Sequence, residues 1–281
     1  MKALVITADD FGLAREVNDA VERAHRGGVL TAASLMVSGP AAADAVARAR
    51  RLPTLRVGLH LVLVDGVPTL PPGRIPDLVD RRGHLRCDMA ALGAAVFLRP
   101  GVRAQVAAEI DAQFDAFRHT GLVLDHVNAH HHFHLHPTIA REVVVIGRRY
   151  GMKALRVPGE PSRLIRAMEP RGAHRRDWRV APWVASLRRR VAAQRLSSAR
   201  QVFGLAWSGA MTEARLSAIL RNLPDGLSEI YLHPATANDF PGASPGMRYT
   251  DELAALLSPQ VAALVNGAGV PAGGFADFHR A

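Results

Sequence analysis

Cys87 is the only cysteine in this chain of 281 residues. A lone thiol excludes an intrachain disulfide and any zinc site built on several cysteines. No apolar run approaches the length needed to span a bilayer, and there is no internal repeat or low-complexity tract. The opening MKALVITADDFG has one lysine, no long hydrophobic region and no small-residue cleavage site. It reads as the first strand of the fold, and the expected location is cytoplasmic.

What is present points to a large core. Hydrophobic residues make up 48% of the chain, which excludes a disordered protein. The net charge of +10 raises anionic partners, but the excess is local. Between Arg163 and Arg200 eleven arginines face only Glu169 and Asp177, and the remainder is close to neutral. There PWVASLRRRVAAQRLSSA sets Trp183, Leu187 and Val191 at helical spacing, with Arg188, Arg189, Arg190 and Arg195 on the remaining surface. The plain expectation is a packed helix with a solvated basic face. Contact with an anionic membrane surface is the sharper one. Trp178 and Trp183 accompany the arginines, yet no zinc-finger or RNA-recognition signature does, so no nucleic-acid partner is expected.

Short β-rich runs alternate with helical patterns over the length of the chain. Strands are expected at 3–8, 32–38, 56–63, 122–128, 154–158, 201–207, 229–234 and 269–275. Helical patterns lie between them, several closed by glycine or opened by proline. Such alternation favours one α/β domain, a distorted (β/α) barrel spanning 1–281, with a doubly wound open sheet as the alternative. GVPTLPPGRIPDLVDRRGHLRCD (66–88) carries four prolines and no period. It is read as a long loop, the core of a lid-like insertion over 66–100 bordering the substrate groove. An Arg-rich segment covers 160–200.

The chemistry-bearing residues fall where expected strands end. Asp9 and Asp10 follow the first, His60 is late in the third, LDHVNAHHHFHLHP follows the fourth, Arg156 is late in the fifth and His233 ends the seventh. In a parallel barrel these ends meet on one rim, where barrel active sites are built. Taken singly, an Asp pair before Phe-Gly is an ordinary turn, and His60 between two leucines is an ordinary core histidine. The histidine tract is harder to dismiss. His126, His130, His132, His134 and His136 share one face only while the chain stays extended, and Pro137 starts a helix. His134 and His136 are therefore read as supporting groups. An Asp and two His from separate strands make a three-ligand metal site with open positions, suited to hydrolysis, and leave the other aspartate free as a general base.

ITADDFG, GLHL and HVNAHHHFHLHP resemble the signatures of the YdjC-like carbohydrate deacetylases, over nearly the whole chain. REVNDAVERAH, RVPGEP, LAWSGAMT and EIYLHPA are similar to the branch associated with hopanoid biosynthesis. The resemblance implies a metal-dependent enzyme with a distorted barrel that removes the acetyl group from an N-acetylglucosaminyl hopanoid. It makes Asp10, His60 and His130 the metal ligands, Asp9 the general base and His233 the general acid. Asn128, His126, His132 and Arg156 would touch substrate or support the ligands. Many members carry Asp where Asn128 stands; Asn lacks the charge but still orients a histidine by hydrogen bonding. The implied cofactor is one divalent ion, Zn²⁺ on ligand type, with other divalent ions including Mg²⁺ open. The implied partners are an N-acetylated amino-sugar substrate, lipid-linked, and the inner face of the cell membrane. A metallo-phosphoesterase stays open, although that chemistry usually takes two metals and more carboxylates.

Overall fold

The structure is a computed structural model and describes residues 2–170, 180–267 and 269–279. In chain order its elements are β1 (Lys2–Phe11), α1 (Arg15–Gly27), β2 (Ala32–Leu35), α2 (Ala42–Ala49), β3 (Arg56–Leu61), α3 (Met89–Leu98), α4 (Pro100–His119), β4 (Val127–Ala129), α5 (Pro137–Arg149), α6 (Ser162–Met168), α7 (Ala181–Ala193), β5 (Gln201–Phe203), α8 (Glu213–Arg221), β6 (Gly226–Leu232), α9 (Tyr249–Leu257) and α10 (Pro259–Gly267). Strands buried on both faces suit a parallel sheet with helices outside. β1 is such a strand, with its last eight residues all buried. α1 buries Val17, Ala20, Val21 and Ala24 along one stripe. α5 opens on Pro137, with the His136 side chain accepting from the Ile139 N–H, and Gly151 follows it at a φ of 75°.

The six strands form one parallel sheet in the order β4-β3-β2-β1-β6-β5. It curls, and its two edges are joined by backbone too irregular to count as strand. Arg156 N–H donates to Val127 on one side of this stave, and Leu155 N–H to Ser197 on the other. Ser197 leads directly into β5, so the ring closes as a distorted barrel. One apolar cluster lies between sheet and helices, and a smaller one fills the interior, with Val5, Ala32, Ala154, Ala199, Val202 and Phe275 near its amino-terminal end and Tyr231 reaching the carboxyl end.

Two expected strands, 154–158 and 269–275, are reduced to isolated bridges at Ala154, Leu155 and Ala272. The fourth is short, Val127–Ala129 alone. The 66–88 stretch is a loop with one 3-10 turn, but the expected insertion ends in a helix, α3, capped by the Asp88 carboxylate. Within the Arg-rich segment α7 buries Leu187 and Val191 and leaves Trp183 exposed. Arg171, Arg175, Arg176, Asp177, Trp178 and Arg179 lie outside the described residues. Among the described residues no helix is long and apolar enough to cross a membrane.

Candidate functional site

Adjacent strand residues normally face opposite sides of a sheet, so Asp9 and Asp10 should not share a site. They do, because the register of β1 against β2 shifts between Ala8 and Phe11 and Asp10 takes a left-handed φ of 63°. Asp tolerates that conformation better than most residues. The Gly12 N–H that follows is held by the buried Asn18 side chain, 2.9 Å away. β3 and β4 pair His60 with Asn128, and His130 follows directly after β4.

Asp10 Oδ1 lies 3.2 Å from His60 Nε2 and 3.1 Å from His130 Nδ1. The hydrogen-bond pattern fixes which His60 nitrogen carries the proton. The Asn128 amide must turn its NH₂ towards the Asp9 carboxylate, an acceptor only, at 2.9 Å. Its Oδ1 therefore faces His60 Nδ1 at 2.7 Å and accepts that N–H. His60 Nε2 is left as a buried lone pair without a hydrogen-bond partner, opposite a carboxylate. Two acceptors facing each other call for a cation between them. A tetrahedral ion with bonds of about 2.0–2.1 Å separates its ligand atoms by about 3.3 Å, close to the spacing here. The three residues fit a divalent metal.

Asp9 is held differently. Arg156 grips it through Nη1 at 2.5 Å and Nη2 at 3.0 Å, and the same guanidinium reaches Glu229 at 2.7 Å. Burial on its own would raise the Asp9 pKa; the Arg156 charge outweighs it and holds the carboxyl far below the ordinary range. Arg156 is fully buried and stacks over the Tyr231 ring at 4.6 Å. It stands behind Asp9 and is absent from the cavity wall.

The six clustered histidines have six separate environments. The chain leaves the extended conformation at His130 and turns through His131 and His132, both at positive φ, so a shared face never forms. His130 meets Asp10; His131 lies 3.3 Å from Asp65 at the surface. His132 Nε2 meets the Tyr231 hydroxyl at 3.0 Å, and burial keeps this imidazole neutral by lowering its pKa well below the usual value. His134 donates to the Arg156 carbonyl, its pKa pushed down to about 4 by burial. His136 donates to the Gly93 carbonyl beside α5. His126 lies deeper in the barrel, against Ser34.

A cavity of about 300 Å³ opens over this centre, lined by Asp9, Asp10, His60, His130, His132 and His233 on one side. Ala129, His131, Tyr231, Leu205, Ser208, Ser244 and Met247 complete it. His233 presents a buried Nδ1 with no hydrogen-bond partner, while its backbone N–H is taken by Glu252 at 2.5 Å. No residue of the 66–88 loop lines this cavity. The loop is pulled onto α4 instead, where the buried Glu109 carboxylate accepts the Thr69 and Leu70 N–H groups. The far wall went unread in the sequence because small and apolar loop residues carry no chemical signal. Glu160, whose carboxylate accepts the N–H groups of Gly204, Leu205 and Ala206, shapes that wall.

A closed parallel α/β ring with an Asp–His–His centre at the carboxyl ends of its strands is the architecture of a barrel hydrolase site. The family model described as YdjC-like protein matches residues 3–267, and the chain belongs to that family. A carbohydrate deacetylase of Geobacillus stearothermophilus is 29% identical over 281 aligned residues, 98% of each chain. One of Brevibacillus brevis is 39% identical over 147 residues, 52% of this chain and 56% of that relative. Several of the matched deacetylases are thus aligned over little more than half their length. A solved structure from Enterococcus faecalis, named for cellobiose-phosphate cleavage, shares the fold with a TM-score of 0.77 at 23% identity, over 99% of each chain.

Proposed function

We propose that the protein is a metal-dependent carbohydrate deacetylase acting on an N-acetylated amino sugar. The observation that carries this reading is the unpartnered His60 Nε2 facing Asp10, with His130 beside them at the floor of the cavity. Relatives named carbohydrate deacetylase support the hydrolase class. Asp10, His60 and His130 would hold a divalent cation, Zn²⁺ on the donor set, which when bound would supply charge to polarise the acetyl carbonyl.

The chain's own groups do the rest. Asp9, kept ionised by Arg156 and pinned by Asn128, accepts a proton from the attacking water. Water adds to the acyl carbon, the C–N bond breaks, and His233 delivers a proton to the leaving nitrogen from its cavity-facing ring. Acetate and a free amino sugar result.

The finer substrate is an N-acetylglucosaminyl hopanoid, supported by the RVPGEP, LAWSGAMT and EIYLHPA stretches. Exposed Phe97 and Leu98 on α3 and Trp183 on the basic α7 support contact with an anionic membrane at its cytoplasmic face. His136 bridges the two helices, its ring 4.1 Å from Phe97 and 5.9 Å from Trp183.

The test is mass spectrometry of an N-acetylglucosaminyl lipid and of free chitobiose after incubation with the protein. Loss of an acetyl group, abolished by a chelator and restored by one equivalent of Zn²⁺, is the expected result. His60→Ala and His130→Ala should each lose metal and activity while staying folded, whereas Asp9→Asn keeps metal and loses roughly 10²–10⁴-fold in rate. Phosphate release from a sugar phosphate with no acetyl loss would overturn the reading.

A further inference from the structure

The hydrogen bonds that set the His60 tautomer do not stop at Asn128. The second proton of its amide is donated to Ser34 Oγ at 2.9 Å. Ser34 Oγ lies 3.0 Å from His126 Nε2, and His126 Nδ1 lies 2.9 Å from Asp125 Oδ2. Asp125 is docked in turn by the C-terminal turn Phe275–Phe278: Oδ2 accepts the Phe275 N–H at 3.0 Å and Oδ1 the Ala276 N–H at 2.9 Å. Ser34, Asn128 and His126 are all fully buried, and Asp125 nearly so.

The direction of every link is forced from both ends. Asp125 is ionised: burial raises its pKa, but the hydrogen bonds it accepts from His126 and from the Phe275 and Ala276 backbone N–H groups outweigh that and lower it. A carboxylate only accepts, so His126 Nδ1 carries its proton and Nε2 accepts from the Ser34 hydroxyl. Ser34 Oγ is then free to accept from Asn128. At the other end Asp9 requires the same Asn128 orientation. His60 is left with one allowed tautomer, Nδ1–H, and its Nε2 lone pair directed at Asp10.

Two glycines accommodate the relay. A Cβ at Gly58 would lie 2.6 Å from His126 Cε1 and Nε2, so the His126 ring occupies the space where a side chain of β3 would stand. A Cβ at Gly274 would lie 2.3 Å from Arg56 Cγ and 2.7 Å from Asp125 Oδ1, so this glycine makes room for Arg56 as well as for the relay. The glycine of the GLHL motif, two residues before the ligand His60, is thus explained by the ring lying on it.

We propose that Asp125, His126 and Ser34, docked by the C-terminal turn and seated on Gly58, are positioning residues that lock Asn128 and through it the metal-binding tautomer of His60. The proposal rests on the metal-centre reading above, and it ties a turn at the amino-terminal end of the barrel to metal affinity at the opposite rim. Hydrogen-bond partners of ligating histidines are typically worth about 10–100-fold in metal affinity.

The experiment measures the Zn²⁺ dissociation constant of the full chain by chelator competition, together with ¹⁵N NMR of the histidine rings in the metal-free protein. His126→Leu acts two hydrogen bonds beyond Asn128, the direct partner of His60, so it should raise the dissociation constant by up to about 10-fold, the low end for such partners. Asp125→Asn should shift it in the same direction, and His126→Gln, which keeps one donor and one acceptor, should recover most of the loss. In wild type His60 should show the Nδ1–H form alone, and in His126→Leu a mixture. Ser34→Ala, which removes one oxygen, carries the test if the larger changes impair folding. Unchanged Zn²⁺ affinity and an unchanged His60 spectrum in folded variants would overturn the relay. If wild type binds no metal at all, the metal-centre reading fails, and the His60 spectra alone still decide the relay.

Discussion

The two ends of the barrel interior are built from the same inward columns of the same strands, yet in opposite chemistry. At the amino-terminal end Val5, Ala32, Ala154 and Val202 close on Phe275 in a small apolar cluster. Two positions further along, the columns of β1 and β2 reach Thr7 and Ser34, and the stave after β4 reaches Arg156. Another step along β1 reaches Asp9, at the cavity. Apolar filler becomes an ionic network within about four residues. The apolar end needs only volume, so small and branched residues suffice. The polar end needs partners for its charges, and Asp9, Glu229, Arg156 and Asn128 find them in one another across β1, β4, β6 and the stave at 154–156, with His60 of β3 tied on through Asn128. The apolar end supports the fold; the polar end spends that support on holding Asp9 and His60 in one geometry.

The largest expected effect comes from breaking the polar end at its centre. Arg156→Met leaves Asp9 and Glu229 buried without their shared counter-ion, and about 3–5 kcal/mol of stability should go with it. Chemical denaturation measures the loss; a change under about 1 kcal/mol would mean that water reaches the site and the two ends differ less than described. At the apolar end Phe275→Ala should cost about 3 kcal/mol through the cavity it leaves, with a smaller loss of metal affinity through Asp125. A fall in metal affinity with no fall in stability would reverse the assignment of that end.

The smallest of these effects is a pH dependence. His134 has a folded pKa of about 4 through burial, against about 6.5 when unfolded. A lowered histidine pKa means that the unfolded chain takes up the proton first. Stability from this residue is therefore complete above about pH 6.5 and is lost as pH falls towards 4, by about 2 kcal/mol at pH 5. Thermal unfolding from pH 7 to 5 should show the slope, and His134→Gln, which keeps a donor for the Arg156 carbonyl, should flatten it. An identical slope in the variant would place the acid sensitivity elsewhere.

Much of this was legible from residue order. Apolar runs alternating with helical stripes gave the barrel, and residues at strand ends gave Asp9, Asp10, His60, His130 and His233 at the rim. The alternation rule does not contain the left-handed kink at Asp10 or the turn at His131 and His132. Arg156 sat correctly in its stretch, but no local pattern says that two buried carboxylates would draw it behind the cavity wall. The expected strand around it became a pair of bridges, since a stave closing a distorted ring need not keep regular pairing. Glu229, Glu252 and Glu160 escaped notice for a common reason: their partners are backbone groups or side chains distant in sequence. Local spacing records which face a residue takes, and not what it meets there.

The lone thiol has a practical consequence. Cys87 is exposed and donates to Asp65 at 3.3 Å, and Asp65 in turn lies 3.3 Å from His131, a residue of the cavity wall. A single reactive group thus sits two contacts from the substrate space in the unaltered chain, a ready attachment point for a fluorophore that reports cavity occupancy without any engineered cysteine. The neighbouring carboxylate raises the thiol pKa through its hydrogen bond and charge, so the thiolate is scarce at neutral pH and labelling should run best in mildly alkaline buffer.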